Sequence, residues 1–416
     1  MIPRAATLLF AGALGAAMLL RLYLVFALPF GETMSGRLTG LNDEPAHFNY
    51  VRHLVGHRSF PVQSRHVAEP GAFERADFEY YQPPLYYLLC APLVALSGER
   101  AGLTLCRALS LACALISLVV LGRVLGLLGL GASARRAGVA LAALLPVHVY
   151  FTSMVSNDGL CWLIALLLTQ ELLSRARSEA TGTRHARARR GMGPDVRLGV
   201  LLGFGMLTKS ALAVFYPVAL LVYALIERRR PGRRLLAGAL VAIGVSLLIA
   251  GPWYVRNTLV YASPFALEVG FGPPEPGRWS LIAQAHAAVS TVRSFWFPMP
   301  HPGGTPLTVA LRVAGALLFA GHATAAIAYL ARRLPLDAPT FVALALLALV
   351  GAGYAALNLA WGESEGRFLL PALGPLVLLL VAPVFAFAAR WRSGERLAWI
   401  YVLLLAAHPY LFLAVS

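Results

Sequence analysis

Asp43 and Glu44 stand side by side in LNDEPAHFNYVRHL (residues 41–54), just beyond an apolar N-terminal segment. A carboxylate held beside a bound hydroxyl can take its proton, a general-base contribution typically worth about 10²–10⁴-fold in rate. Asp158, in SNDGL (156–160), is a third candidate catalytic carboxylate, in a supporting role. Lys209, in TKS, is the single lysine of the chain; every other fixed cation is an arginine. It lies between two apolar half-spans, where a charge costs about 2.5–3.5 kcal/mol on insertion scales and marks function by default. As a compact point charge it suits a phosphate. The candidate substrate-binding residues are His47, Tyr81 and Gln82 (EYYQPP), Lys209, Arg256 and Asn257 (PWYVRN), and Glu363 and Arg367 (WGESEGRF).

Plain structural uses compete with each of these. Asp43 and Asp158 both precede helical patterns and suit N-caps, although capping accounts for one carboxylate of the Asp43–Glu44 pair and not both. Lys209 can snorkel to a headgroup, Arg256 can anchor an interface between its aromatic neighbours, and Arg367 can pair locally with Glu363 or Glu365. Arg21, inside the first apolar run, requires an internal partner that the sequence does not name.

The elements that must position these residues follow from composition. The chain of 416 residues is 58% hydrophobic and 13% charged, about half the charged share of a soluble domain. Repeated apolar runs near 20 residues predict an all-α polytopic membrane protein, and the short alternating strands of an outer-membrane barrel are missing. The net charge of +16 is spread over short arginine clusters between apolar runs, the pattern of cytoplasmic loops rather than of a nucleic-acid reader. Cys90, Cys106, Cys113 and Cys161 fall in apolar stretches without metal-ligand spacing and read as core residues.

Placing the clusters at 132–136, 174–197, 227–234, 331–333 and 389–396 in the cytoplasm fixes a topology. The first helix, 7–29, leaves a cytoplasmic N-terminus and is retained rather than cleaved. Residues 83–96 are then required to lie in the interface, since a crossing there would invert every later cluster. Further spans are expected at 103–129, 137–154, 158–174, 198–209, 211–226, 235–252, 307–330, 339–359, 368–388 and 397–415, about eleven crossings in all. Residues 1–388 form one transmembrane module with outer loops at 30–102 and 253–306, and 389–416 hold a loop and the last helix. No separate soluble domain is expected, and SEATGTRHARARRG (178–191) reads as a flexible cytoplasmic loop. The candidate residues all gather at the outer face, with the inner (cell) membrane of a bacterium as the expected location.

Six motifs in order carry a resemblance: DEPAHFNYVRHL, YYQPPLYYLL, SNDGL, LLGFGMLTKSALAVFYP, GPWYVRNTLVYASPF and EGRFLLPALGPLVLLL. Together, over about residues 7–380, the chain resembles the GT-C glycosyltransferases, on the branch of the protein O-mannosyltransferases and lipid A aminoarabinose transferases. The resemblance implies a polyprenyl-phosphate-sugar donor, an outward-facing active site and interfacial helices in the first outer loop. It also implies Asp43 as the catalytic base, Gln82-Pro83-Pro84 as the element beside the donor, and Lys209 as the lysine of the TK hairpin. Two departures stand out: Gln82 replaces a His or Lys, and the C-terminal part is short.

The chemistry is consistent with those roles. Attack of an acceptor hydroxyl on the anomeric carbon of a sugar phosphate needs one base and cations on the phosphate. The leaving group needs no general acid, so the two-carboxylate arrangement of glycosidases is not required. Asp43, Glu44 and His47 could bind a divalent cation, but their pattern is not diagnostic and no metal ligand is assigned. The acceptor is unknown, membrane lipid is a partner and nucleic acid is not. The alternatives are a transporter or flippase for a lipid-linked anion, which would often show repeat symmetry, and an O-antigen ligase or polymerase type of enzyme relying on Arg and His.

Overall fold

A computed structural model describes residues 4–32, 38–64, 75–181, 193–229, 233–274, 280–297, 306–332, 334 and 337–415. Most of the expected loop at 178–191 lies outside the described residues. Helix α1 (Arg4–Ala27) leads to a small antiparallel hairpin, β1 (Phe30–Glu32) with β2 (Leu38–Gly40). The same excursion holds α2 (Glu44–His57) and α3 (Leu85–Ser97). Next come α4 (Glu99–Leu127), α5 (Ala132–Leu144), α6 (Pro146–Phe151) and α7 (Asp158–Thr181). Helix α8 (Gly193–Thr208), a 3-10 turn (Ser210–Val214) and α9 (Phe215–Arg229) lead into α10 (Arg233–Tyr261). The remainder is α11 (Leu267–Phe271), α12 (Leu281–Trp296), α13 (Pro306–Arg332), α14 (Ala338–Trp361), a second 3-10 turn (Gly366–Ala372), α15 (Leu373–Ala388) and α16 (Gly394–Val415).

The chain is an all-α multi-pass membrane protein. Among the described residues seven helical segments are long and apolar enough to cross a membrane: Ala6–Ala27, Glu99–Leu127, Asp158–Ser178, Leu236–Tyr261, Val313–Arg332, Ala338–Trp361 and Gly366–Ala388. The expectation of about eleven is not confirmed by this count of described residues, and local chemistry explains why several expected spans fall short of membrane length. The expected span 137–154 divides into α5 and α6 because Leu145, ahead of Pro146, is extended with ψ 119°, the conformation a following proline favours. The pair 198–226 breaks at Lys209, which is extended at φ −158°, ψ 129° between α8 and the 3-10 turn. The span expected to stop at 252 instead continues as helix through Pro252 to Tyr261. Helix α3, at 13 residues, is about 20 Å long and too short for a hydrocarbon core of about 30 Å.

Helix α7 is the centre of the bundle. Its membrane-length segment is 83% buried, against 12% for Val313–Arg332 at the periphery. An apolar helix without a polar face needs protein on every side, and α7 packs against α4, α8, α9, α14 and the second 3-10 turn. Gly159 permits a close approach to α4, because an added Cβ would lie 3.2 Å from the Ser110 carbonyl oxygen. The N-terminal end of α7 is where Asp158 sits. The opposite end is clamped by Arg175, which reaches Glu171 at 2.8 Å and Asp195 at 2.7 Å.

Arg21 finds its partners inside the protein: it donates to the Ala143 carbonyl at 2.5 Å and meets His148 Nδ1 at 2.8 Å. All four cysteines are free and buried.

Candidate active site

Five chain segments converge on one cavity of about 460 Å³. The turn before α2 contributes Asp43, and α2 itself His47. The segment before α3 adds Glu79, Tyr81 and Gln82, and the break after α8 adds Lys209. The link from α14 into the second 3-10 turn adds Glu363, Glu365 and Arg367. The rest of the wall is largely apolar, including Val214, Val350, Leu357 and Phe368. A mostly apolar hollow with a few converging polar groups is the usual form of a small-molecule site.

The capping reading of the two aspartates does not hold. Asp43 occupies the N-cap of α2 but makes no side-chain capping bond. Its Oδ2 accepts from Arg367 Nη1 at 2.7 Å, across 324 residues of sequence. Asp158 accepts from Lys209 Nζ at 2.5 Å through Oδ1 and from the same Arg367 Nη1 at 3.3 Å through Oδ2. Arg367 therefore bridges the two aspartates, with its guanidinium 4.4 Å from the Phe151 ring centroid. Glu365 Oε2 approaches Arg367 Nε at 2.5 Å as an ionic contact without hydrogen-bond geometry. Both aspartates are buried, and burying an ion pair at this depth requires such multiple partners.

Burial alone would push the Asp43 carboxyl up, but Arg367 and His47 outweigh it and hold Asp43 well below the usual carboxylate range. His47 is raised above an ordinary imidazole: burial lowers it, and Glu79 and Asp43 together more than compensate. Its Nε2 lies 3.7 Å from Asp43 Oδ2, and its Nδ1 meets Tyr87 Oη at 2.7 Å. Burial raises Glu79, with His47 opposing the shift.

Glu44 is separated from this chemistry. It is fully buried, accepting from Arg107 Nε at 2.7 Å and from Val155 N–H at 2.7 Å through Oε1, and from Arg107 Nη2 at 2.6 Å through Oε2. Arg107 Nη1 also donates to the Val25 and Leu28 carbonyls at 2.9 and 3.2 Å, closing the end of α1. Glu44 does not line the cavity, and its geometry is that of a fixture anchoring α2 rather than of a catalytic group. Arg107 was not selected from the sequence, yet it carries the signal that singled out Arg21: an arginine inside an apolar run.

Gln82 lines the cavity with its side chain engaged. Its Nε2 donates to Tyr81 Oη at 3.1 Å, and its Oε1 accepts from Asn157 at 3.4 Å. Tyr81 is buried and packs against Gly270, where an added Cβ would lie 2.4 Å from the ring. Arg256 and Asn257 are not brought to the cavity wall. Arg256 donates to the Pro61 carbonyl at 2.5 Å and stacks 4.7 Å over Trp253, while Asn257 donates to the Pro264 carbonyl at 3.3 Å. Arg256 thus ties the segment at Pro61 to α10, and Asn257 ties α10 to the segment that follows it.

One atom each from Asp43, His47 and Glu79 lies within 4.8 Å of the others, close enough to hold a metal ion. The fit is supported by two buried oxygens without hydrogen-bond partners, Asp43 Oδ1 and Glu79 Oε2. A mixed carboxylate–imidazole set suits Mn²⁺ or Zn²⁺ better than Mg²⁺.

No protein-family profile matches the chain, and no curated protein matches it. Solved structures do. ArnT from Cupriavidus metallidurans bound to undecaprenyl phosphate aligns with TM-score 0.61 and 16% identity over 98% of this chain and 76% of that one. The apo oligosaccharyltransferase of Archaeoglobus fulgidus aligns with TM-score 0.53 and 15% identity over 98% of this chain and 55% of that one. The same values describe the archaeal oligosaccharyltransferase AglB in complex with an inhibitory peptide and a dolichol-phosphate. This chain thus spans about half the length of the oligosaccharyltransferase. At these identities the likeness establishes the fold alone: the chain folds like ArnT and the archaeal oligosaccharyltransferase.

Proposed function

We propose that the protein transfers a sugar from a polyprenyl-phosphate donor to an acceptor hydroxyl, with inversion at the anomeric carbon. One observation carries this reading: Lys209 and Arg367, the two fixed cations of the cavity wall, are both held against carboxylates, and one of these is Asp43. A phosphate entering the cavity competes for the same N–H donors. Every bond that Arg367 transfers from Asp43 to the phosphate removes part of the force holding Asp43 below the usual carboxylate range. Donor binding thereby strengthens the base at the moment a hydroxyl must be deprotonated.

The acceptor oxygen attacks the anomeric carbon and its proton passes to Asp43. The bond from that carbon to the phosphate oxygen breaks, and the polyprenyl phosphate leaves with the electron pair. Lys209 and Arg367 stabilise the charge on the leaving phosphate. Asp158 positions both cations, and Gln82, neutral and already bonded, shapes the wall without adding charge. A divalent cation on Asp43, His47 and Glu79 would add positive charge beside the phosphate. The apolar wall formed by Val214, Val350 and Leu357 accommodates the first isoprene units. Among the described residues, Arg175 of the 174–197 cluster lies at the end of α7 opposite Asp158, which supports an active site on the periplasmic or external face of a bacterial inner membrane.

The test is turnover by the purified chain, read as polyprenyl phosphate released from a panel of undecaprenyl-phosphate hexoses and pentoses in the presence of a membrane extract as acceptor. Asp43→Asn should lower release by about 10²–10⁴-fold while the protein stays folded. Release at the wild-type rate would remove Asp43 as the base.

A further inference from the structure

A second cavity, also about 460 Å³, lies between α1, α4 and α5, far from the first. Helix α4 spans the distance: its first residue, Glu99, meets Arg52 of α2 on the side of the active site, and its last turn, about 40 Å away, adjoins α5. The groove walls are largely apolar, with Phe10, Leu14, Leu118 and Val139; the guanidinium of Arg21, which also lines it, is engaged by the Ala143 carbonyl and His148, and Arg135 and Arg136 stand at the start of α5. Gly122 forms part of the lining, and an added Cβ there would meet only Val139, at an ordinary 3.5 Å.

We propose that this groove binds one anionic glycerophospholipid, with an acyl chain along the α1–α4 wall and the phosphate on Arg135 and Arg136. Both walls are membrane-length helices, so the occupant comes from the bilayer. The charge at the mouth selects its headgroup, since arginines at the headgroup level attract anionic lipids. Two further features favour a phosphate. The N-cap of α5 is Gly131, which provides no side-chain cap and leaves backbone N–H groups beside the arginines. Arg136 is steadied by Thr7 Oγ1 at 3.3 Å. Glu395, which accepts from Ser133 Oγ at 2.6 Å, does not line the groove. An apolar cavity between α13, α15 and α16 provides an internal contrast: it is larger, about 670 Å³, but neither lysine nor arginine lines it. Charge, rather than empty volume, sets the first groove apart.

The experiment is native mass spectrometry of the full chain, delipidated in detergent and titrated with phosphatidylglycerol or with phosphatidylcholine of the same acyl chains. Phosphatidylglycerol should be retained preferentially, and Arg135→Gln with Arg136→Gln should weaken it about tenfold or more without weakening phosphatidylcholine. Gly122→Phe, which fills the groove and keeps both arginines, should abolish the preference as well. Lys209→Ala should leave it intact, which separates this site from the active-site cavity. Equal retention of the two lipids, or loss of the preference in Lys209→Ala alone, would overturn the proposal. Displacement of phosphatidylglycerol by millimolar glycerol phosphate would also overturn it, because the site would then hold a free phosphate.

Discussion

Removing either partner of the Glu44–Arg107 pair should destabilise the protein out of proportion to the atoms lost. Glu44 is 0% exposed and Arg107 3% exposed, so neither charge can turn to water when its partner is removed. Breaking a buried pair from one side costs about 3–5 kcal/mol. Arg107→Leu should fall near the upper end, because it strands the Glu44 carboxylate and also the Val25 and Leu28 carbonyls that Arg107 serves. Glu44→Gln should fall near the lower end, about 3 kcal/mol, since the amide oxygen still accepts from Arg107 Nε and Val155 N–H while its NH₂ opposes the third donor, Arg107 Nη2. The double change Glu44→Leu, Arg107→Leu leaves no unpaired charge and should cost less than the sum of the single changes by at least about 2 kcal/mol. The assay is equilibrium unfolding in mixed micelles with increasing sodium dodecyl sulfate, followed by tryptophan fluorescence. Additive losses, or single variants within about 1 kcal/mol of wild type, would refute the reasoning that this pair holds α2 and Asp43 in place.

Arg256→Gln should loosen the segment around Pro61 and leave the chemical step unchanged, so protease cleavage there should rise while the single-turnover rate is retained; a collapsed rate would place Arg256 in the cavity. In metal-free buffer the stabilising contribution of His47 should depend on pH with a definite sign. Its folded pKa is raised, so the contribution is complete below about pH 6.5 and is lost as pH rises through the folded value. The melting-temperature advantage of wild type over His47→Gln should shrink from about pH 6 to about pH 9, and an advantage that grows would contradict the assignment. Mn²⁺ or Zn²⁺ should raise the melting temperature of wild type and not of Glu79→Gln, reversibly with a chelator; an equal rise in both would remove Glu79 as a ligand.

The sequence revealed the solvent and the outline of the site because both are written in local chemistry. Long apolar runs require helices in a bilayer, and a lone lysine at membrane depth requires a reason. Asp43, His47, Tyr81, Gln82, Lys209, Glu363 and Arg367 do share one cavity, or its wall, in the structure. Span counting was weaker, because Pro146 and Lys209 interrupt apolar stretches that hydropathy alone reads as continuous. Partner choice was weakest. Whether Asp43 caps α2 or meets Arg367 depends on a contact between residues 324 positions apart, and no local pattern encodes it. The same applies to Glu44, whose adjacency to Asp43 suggests a shared role until Arg107 takes both of its oxygens.

The most direct test of the central claim is undecaprenyl-phosphate binding by the purified chain, measured by native mass spectrometry for wild type and Lys209→Ala. A specific lipid adduct on wild type that is lost or strongly weakened in the variant is the predicted result, placing the phosphate at Lys209. The absence of an adduct on wild type, or an adduct of equal strength on both proteins, would contradict a lipid-phosphate donor in this cavity.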